Sequence, residues 1–428
     1  MKLDSQKIEP VVRELVARIA EHGHEALIVG GAVRDLLIGI VPKDYDIATS
    51  ATPEEVKHIF GRQARIIGRR FRLVHVMLGG HLFEVATFRR QPSAEERSTR
   101  DGDDGVMLWR DNEYGTRDED AVRRDFTVNA MYYDPITDEI IDTVGGLDDI
   151  KNKVVRMIGD PEVRLAEDPV RLLRALKLVA LFDFKMEATL DAAMLKLAPH
   201  IALSSKSRCF EELLKILAKP SALKTFSVCQ QYGVLEHLWP NLAMGWNSPA
   251  GKLMRNLLQL RDDRVSAGIY SKSQTLGLAT LALAFVGPSL RQGEDNPGPL
   301  WATSREASLR CREALRIFFE PYPVPKFLQI RTREVLMLMP SFFQSEACPH
   351  VVGHPQYRYA RELFQHLAKL QGWDVAQFAH WPPPPHDAPR RSNHPEEAGA
   401  RTGGRSRHRG GRNRRGGPRP LPADGQHE

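Results

Sequence analysis

The chain of 428 residues holds four cysteines, Cys209, Cys229, Cys311 and Cys348, and none lies near enough to another in sequence to form a zinc-binding pair. That scarcity excludes a disulfide scaffold and reads as free thiols in a reducing compartment, with the cytoplasm as the expected location. Long apolar runs are missing too. The longest, TLGLATLALAFVG from Thr275, is too short for a membrane span and reads as a buried helix. The amino terminus lacks the unbroken apolar core of a secretory signal and carries amphipathic helical spacing instead. No glycine-rich loop ends in Gly-Lys-Ser/Thr, which excludes P-loop hydrolysis of a nucleoside triphosphate. His22, His24, His75 and His81 have no second His or Cys at zinc spacing and read as structural or surface residues. No internal repeat is present.

Positive charge is concentrated at one end. The net charge is +6, and residues 401–428 alone carry eight arginines against Asp424 and Glu428, so the preceding 400 residues are close to neutral. The stretch RTGGRSRHRGGRNRRGGPRPLP cannot bury a core and is expected to be disordered. It follows WPPPPHDAP, a stiff linker expected to close the folded part near residue 380. Arginine without compensating acid suits an RNA backbone, so the tail reads as a polyphosphate-binding arm more than a solubilising one.

Residues 25–145 alternate short strand-like and helical pieces. EALIVGGAVRDLLIG reads as strand, Gly-Gly turn and helix; KDYDIATSATPEEVKHIF reads as a strand and a helix with Thr52 as N-cap, Pro53 at the first position and Glu55 completing a capping box. ARIIGRRFRLVHVML and HLFEVATFRR are two more strands, with Gly79-Gly80 as their hairpin turn. Residues 92–120 are charged without a period and read as a mobile loop; residues 285–310 read as a loop insertion. Beyond about residue 150, apolar residues recur at helical spacing up to the proline linker.

The chemistry starts at Asp44-Tyr45-Asp46. On a strand, residues two apart share a face, and two carboxylates side by side repel unless a cation lies between them. Alone, Asp-X-Asp is a common turn. Its neighbours add meaning: Gly30 and Gly31 let a phosphate approach backbone at a helix start, Arg34 supplies a guanidinium one turn on, and Glu84 is a lone carboxylate on an apolar strand. Together these describe a site for a nucleoside triphosphate with two divalent ions. Asp168 precedes Pro169 and serves as a helix cap on the plainest reading, yet Asp168 and Arg171 could also read a base edge with an acceptor and a donor fork. Arg174 and Lys177 follow at three-residue steps on the same face.

LIVGGAVRDLLIG, KDYDIAT, RRDFTVNAMYYD and EDPVRLLRALK, in that order and spacing, resemble the class II nucleotidyltransferases of the polymerase β superfamily, which comprise tRNA CCA-adding enzymes and bacterial poly(A) polymerases. The likeness is strong over residues 26 to about 180 and weaker through SRCFEELLKIL. The segment IIGRRFRLVHVML and the basic tail resemble the poly(A) polymerase branch. The resemblance implies an α/β (α+β) nucleotidyltransferase head with a mixed or antiparallel sheet (residues 1–150), an all-α neck that recognises the base (151–220), a helical RNA-binding body (221–380) and a disordered tail (381–428). It implies two Mg2+ ions on Asp44 and Asp46, with Asp125 as third carboxylate and Glu84 as the other candidate for that place. Gly31, Arg34, Arg124, Asp168, Arg171 and Arg174 carry over as nucleotide contacts, and Asn129 is expected on the face of Asp125. The implied activity is template-independent addition of AMP from ATP to RNA 3′ ends, on mRNA and small RNA. A CCA-adding enzyme, an RNA-binding protein with a degenerate head and a small-molecule adenylyltransferase are the alternatives.

Overall fold

The period-2 pattern of the amino-terminal third produces one sheet. The computed structural model describes residues 3–68, 72–90, 113–269, 273–291 and 299–384. Within them run β1 (Ala26–Val29), β2 (Asp46–Thr49), β3 (Ala64–Ile67), β4 (Leu73–Leu78), β5 (His81–Thr87), β6 (Tyr132–Asp134) and β7 (Glu139–Ile141), ordered β3-β4-β5-β2-β1-β6-β7. β2 and β5 pair in parallel and every other neighbour is antiparallel, so the sheet is mixed. Val74, Val76, Phe83 and Val85 bury one face against α1 (Pro10–Ala20) and α3 (Pro53–Phe60). His75 and Glu84 alternate to the other face.

Local signals set the joints. Thr52 accepts from Glu55 N, and Glu55 accepts from Thr52 N at 2.7 Å, the reciprocal cap that starts α3. Gly79 and Gly80 both have positive φ, 57° and 81°, as a tight hairpin between β4 and β5 requires. A Cβ on Gly79 would meet Val11 Cγ2 at 2.9 Å, so the turn also packs on α1.

Two expected loops are partly helical. Residues 91–112 lie outside the described residues, but a helix, Arg117–Arg123, starts within the supposed loop, capped by Thr116 with Glu119. Its seven residues are mostly charged, so no apolar period betrays it. In the expected insertion, helix Gln274–Leu290 runs through Pro288, and Ser304 caps helix Arg305–Phe318; residues 292–298 lie outside the described residues.

Among the described residues after β7 the regular elements are helical apart from a two-stranded parallel pair, Val154–Val155 with Lys185–Met186. Helix Gln274–Leu290 is buried almost all round at the centre of the body. No helix among the described residues is long and apolar enough to cross a membrane. Near the end of the described residues Trp381 docks on the body: its Nε1 donates to Phe342 O at 3.1 Å, and Tyr357 OH donates to Pro382 O at 2.6 Å. A continuous apolar cluster runs from Leu3 to Trp381, and the boundaries expected at 150 and 220 fall inside one compact unit. The tail from residue 385 lies outside the described residues.

His366, on helix Tyr357–Gln371, is buried with no hydrogen bond at either ring nitrogen among the described residues. Burial, then the charges of Arg264 and Lys369, pushes its imidazole down to about 4 from the ordinary 6.5. A base depressed on folding stabilises the protein above its unfolded value and loses that contribution as pH falls through the folded one. Thermal unfolding should therefore move to lower temperature between pH 6.5 and 4, and His366→Leu should flatten that slope. An unchanged slope in the variant would place the acid-sensitive group elsewhere.

Candidate active site

Strand register assembles a polar row on the open face of the sheet. Asp46 opens β2 and stands directly opposite Glu84 of β5 on one side and Val29 of β1 on the other. Val29 in turn faces Tyr132 of β6, and Glu84 faces His75 of β4. Residues paired this way present their side chains on the same face. Asp44 falls in the bend before β2, so bend geometry rather than strand alternation brings it near Asp46. Asp46 keeps an accessible edge, yet loss of hydration together with the charge of Glu84 pushes its carboxyl up to about 6. Arg124 opposes that rise, Asp44 adds to it, and Lys215 opposes it.

The cationic side is built at the turn from β1 into α2 (Gly31–Leu37). Gly30 sits at φ 74° and ψ −127°, a backbone conformation that glycine adopts because it carries no Cβ. A Cβ there would lie 3.5 Å from Arg124 Nη1, and one on Gly31 would lie 3.4 Å from Arg34 Nη2, so both guanidinia flank the turn. Arg34 is buried: its Nε and Nη2 donate to Asp35 Oδ1 at 3.0 and 2.7 Å, its Nη1 donates to Asn129 Oδ1, and its Cζ lies 4.4 Å from the Phe182 ring centre. Arg124 donates to Asp120 Oδ2 through Nε and Nη2 at 3.1 and 2.7 Å, and Tyr132 OH donates to the same oxygen at 2.7 Å. Burial works against its charge, but Asp120 and then Tyr132 hold Arg124 firmly protonated.

Of the two candidates for a third acid, Glu84 is the one beside the pair. Arg124 is already extended (ψ 169°), which carries Asp125 off the preceding helix. Buried there, Asp125 accepts from Phe126 N at 2.9 Å and holds Arg174 Nη2 at 3.0 Å. Asn129 lies in the 3-10 turn Thr127–Asn129 and serves Arg34; it does not share a helical face with Asp125.

The predicted base readers are each oriented by a residue that spacing alone did not reveal. Asp168 lies between helices Pro161–Glu167 and Val170–Phe182; it accepts from Val170 N at 3.3 Å, and Arg208 Nη2 donates to it at 2.7 Å. Arg171 donates to Arg164 O at 2.5 Å and to Glu167 Oε2 at 3.4 Å, and Arg164 donates to Arg123 O and Arg124 O at 2.7 and 2.9 Å. A hydrogen-bonded path thus joins Arg171 to the backbone that carries Arg124. Lys177 and Lys215 donate to Glu212 at 2.7 and 2.9 Å. Against burial, Lys177 and then Lys215 hold the Glu212 carboxyl down at about 2. Arg208, Glu212 and Lys215 share helix Lys206–Leu217, but the partners of Arg208 and Glu212 on Asp168 and Lys177 lie 40 and 35 residues away, beyond any local pattern.

The donor set fits magnesium in one particular way. Among the described residues no group of three or more His, Cys, Asp or Glu side chains forms a preformed cation cage. Mg2+ is commonly held by one or two carboxylates together with substrate phosphates and water. Crowded acids, with the Asp46 carboxyl raised by lost hydration and then by Glu84, are what a divalent ion would relieve. Glu84→Gln should accordingly lower the Asp46 carboxyl from about 6 toward the ordinary range, while Asp125→Asn should leave it in place. Carboxyl NMR titration of the metal-free variants measures both, and a shift caused only by Asp125→Asn would reverse the assignment.

Comparison with known proteins places the chain in a family. Residues 26–156 match the family model described as "Poly A polymerase head domain", and residues 183–244 match "Probable RNA and SrmB- binding site of polymerase A". Poly(A) polymerase I of Haemophilus influenzae is 36% identical over 379 residues, spanning 86% of this chain and 82% of its own. That of Escherichia coli O6:H1 is 34% identical over 367 residues, 84% and 78% of the two chains. A CCA-adding enzyme of Streptococcus pyogenes is 37% identical over 249 residues, only 56% of either chain. The solved Bacillus stearothermophilus CCA-adding enzyme in complex with CTP shares the fold, with TM-score 0.59 and 24% identity over 87% of this chain and 81% of that one. Sustained from the sheet through the helical body, this similarity shows that the chain belongs to the poly(A) polymerase family of nucleotidyltransferases.

Proposed function

We propose that the protein adds AMP from ATP to RNA 3′ ends without a template, in RNA processing and decay. The observation that carries this reading is the placement of Asp46, its carboxyl raised, between Glu84 and a glycine turn flanked by Arg34 and Arg124. Asp44 and Asp46 would hold two Mg2+ ions, which when bound would polarise the α-phosphate and lower the pKa of the attacking 3′-hydroxyl. The open backbone at Gly30 and Gly31 admits the triphosphate, and Arg34 and Arg124, already fixed by Asp35, Asn129 and Asp120, meet its charge without reorganising. Asp168, set by Arg208, and Arg171, set by Arg164 and Glu167, present an acceptor and donors to the adenine edge. Arg174, drawn to Asp125, lies one turn further along and is placed for a phosphate or a base face.

Similarity to poly(A) polymerases extends through the helical body, whereas the CCA-adding relative matches about half the chain, which favours adenylation over CCA addition. The body and the arginine tail hold RNA through its backbone, and mRNA and small RNA in the cytoplasm are the substrates that ATP-dependent tailing implies.

Purified protein given ATP, Mg2+ and an oligo(A) primer should extend it, EDTA or Asp46→Ala should abolish extension, and CTP should not enter a tRNA lacking its terminus. CTP incorporation into that tRNA would overturn the choice of branch. If six or more phosphates of a single strand are neutralised, RNA affinity should fall by about 300-fold or more between 50 and 200 mM salt. Deleting residues 390–428 should weaken RNA binding at low salt; unchanged affinity would leave the tail a solubility device.

A further inference from the structure

Glu84 carries a mechanical problem. Its side chain is more than half exposed and has three rotatable bonds, so nothing in β5 alone would hold its carboxylate toward Asp46. One strand over, His75 stands directly opposite it. The imidazole is largely covered, at 18% exposure, and its Nε2 is buried with no hydrogen-bond partner among the described residues. That nitrogen lies 3.6 Å from Glu84 Oε1, just beyond hydrogen-bonding distance, so a small rotation of the glutamate closes the gap. A buried ring nitrogen lacking a partner and an exposed carboxylate lacking an anchor thus face each other across two paired strands.

We propose that His75 is a positioning residue that holds Glu84 in the acid cluster through Nε2–H, fixing the carboxylate that completes the Mg2+ environment of Asp44 and Asp46. This rests on the reading of Glu84 as the third acid of that environment. The imidazole takes no part in bond making: it touches neither nucleotide nor RNA, and its contribution is the orientation of a ligand. Removing the outer partner of a metal-binding side chain commonly weakens metal affinity by about 10–100-fold, so the signature belongs in the magnesium dependence of the reaction.

The test compares His75→Leu, which keeps bulk and loses the donor, with His75→Gln, whose amide nitrogen reaches the Nε2 position, and His75→Asn, whose amide reaches only the Nδ1 position. Each is assayed for AMP addition to an oligo(A) primer across Mg2+ concentration, and for thermal unfolding in EDTA. His75→Leu and His75→Asn should raise half-saturating Mg2+ by about tenfold, His75→Gln should stay within about twofold of the parent, and unfolding in EDTA should be alike for all. Parental magnesium dependence in His75→Leu, or equal impairment of all three, overturns the proposal. Should His75→Leu fail to fold, the glutamine and asparagine pair decides alone. Glu84→Gln separates the two levels: if it leaves magnesium dependence untouched, Glu84 is not the third acid and the reading beneath falls. If it is impaired while His75→Leu is normal, only the role of His75 falls.

Discussion

The constraint on which this molecule turns is the crowding of negative charge at the start of β2. Asp46 cannot move away from Glu84, because parallel pairing of β2 and β5 sets them opposite each other at the exposed start of the strand. A fold that only needed stability would relax such a contact. Here the surrounding cations are kept to either side, Arg124 tied to Asp120 and Lys215 to Glu212, so neither neutralises the acid directly. The crowding is left for a ligand to resolve.

Around that point the helical part acts as a frame. Arg208 and Glu212, from one helix, hold the Asp168 carboxylate at a helix junction and Lys177 on the next helix, while Arg164 reaches the backbone that supports Arg124. Exposed ion pairs contribute little to stability. Largely covered ones such as Lys177 with Glu212 do more to fix geometry, since each partner is already short of water.

Much of this was legible where chemistry is local. The Thr52 cap, the Gly79-Gly80 hairpin and the buried helix at Thr275 follow from signals a few residues long. The helix Arg117–Arg123 escaped because its charged residues conceal any apolar period, leaving only Thr116 and Glu119 as cues. Site residues divided similarly. Gly30, Gly31, Arg34 and Arg124 come together at one turn, and Asp44 approaches Asp46 from a bend; Glu84 rather than Asp125 stands opposite Asp46 because the strand beside β2 is β5, brought in by a crossover. Pairings such as Arg174 with Asp125 span some fifty residues and leave no trace in composition or spacing.

The stacking of Arg34 on Phe182 has a wider consequence. The Arg34 guanidinium beside the Gly30 turn leans on an aromatic ring at the end of helix Val170–Phe182, so bending of that helix is passed to the proposed triphosphate site as a change in tilt. Substitutions remote from every reacting atom would thereby alter substrate affinity while leaving base choice intact. Evolution could tune the enzyme's appetite for ATP from its scaffold, without touching the chemistry.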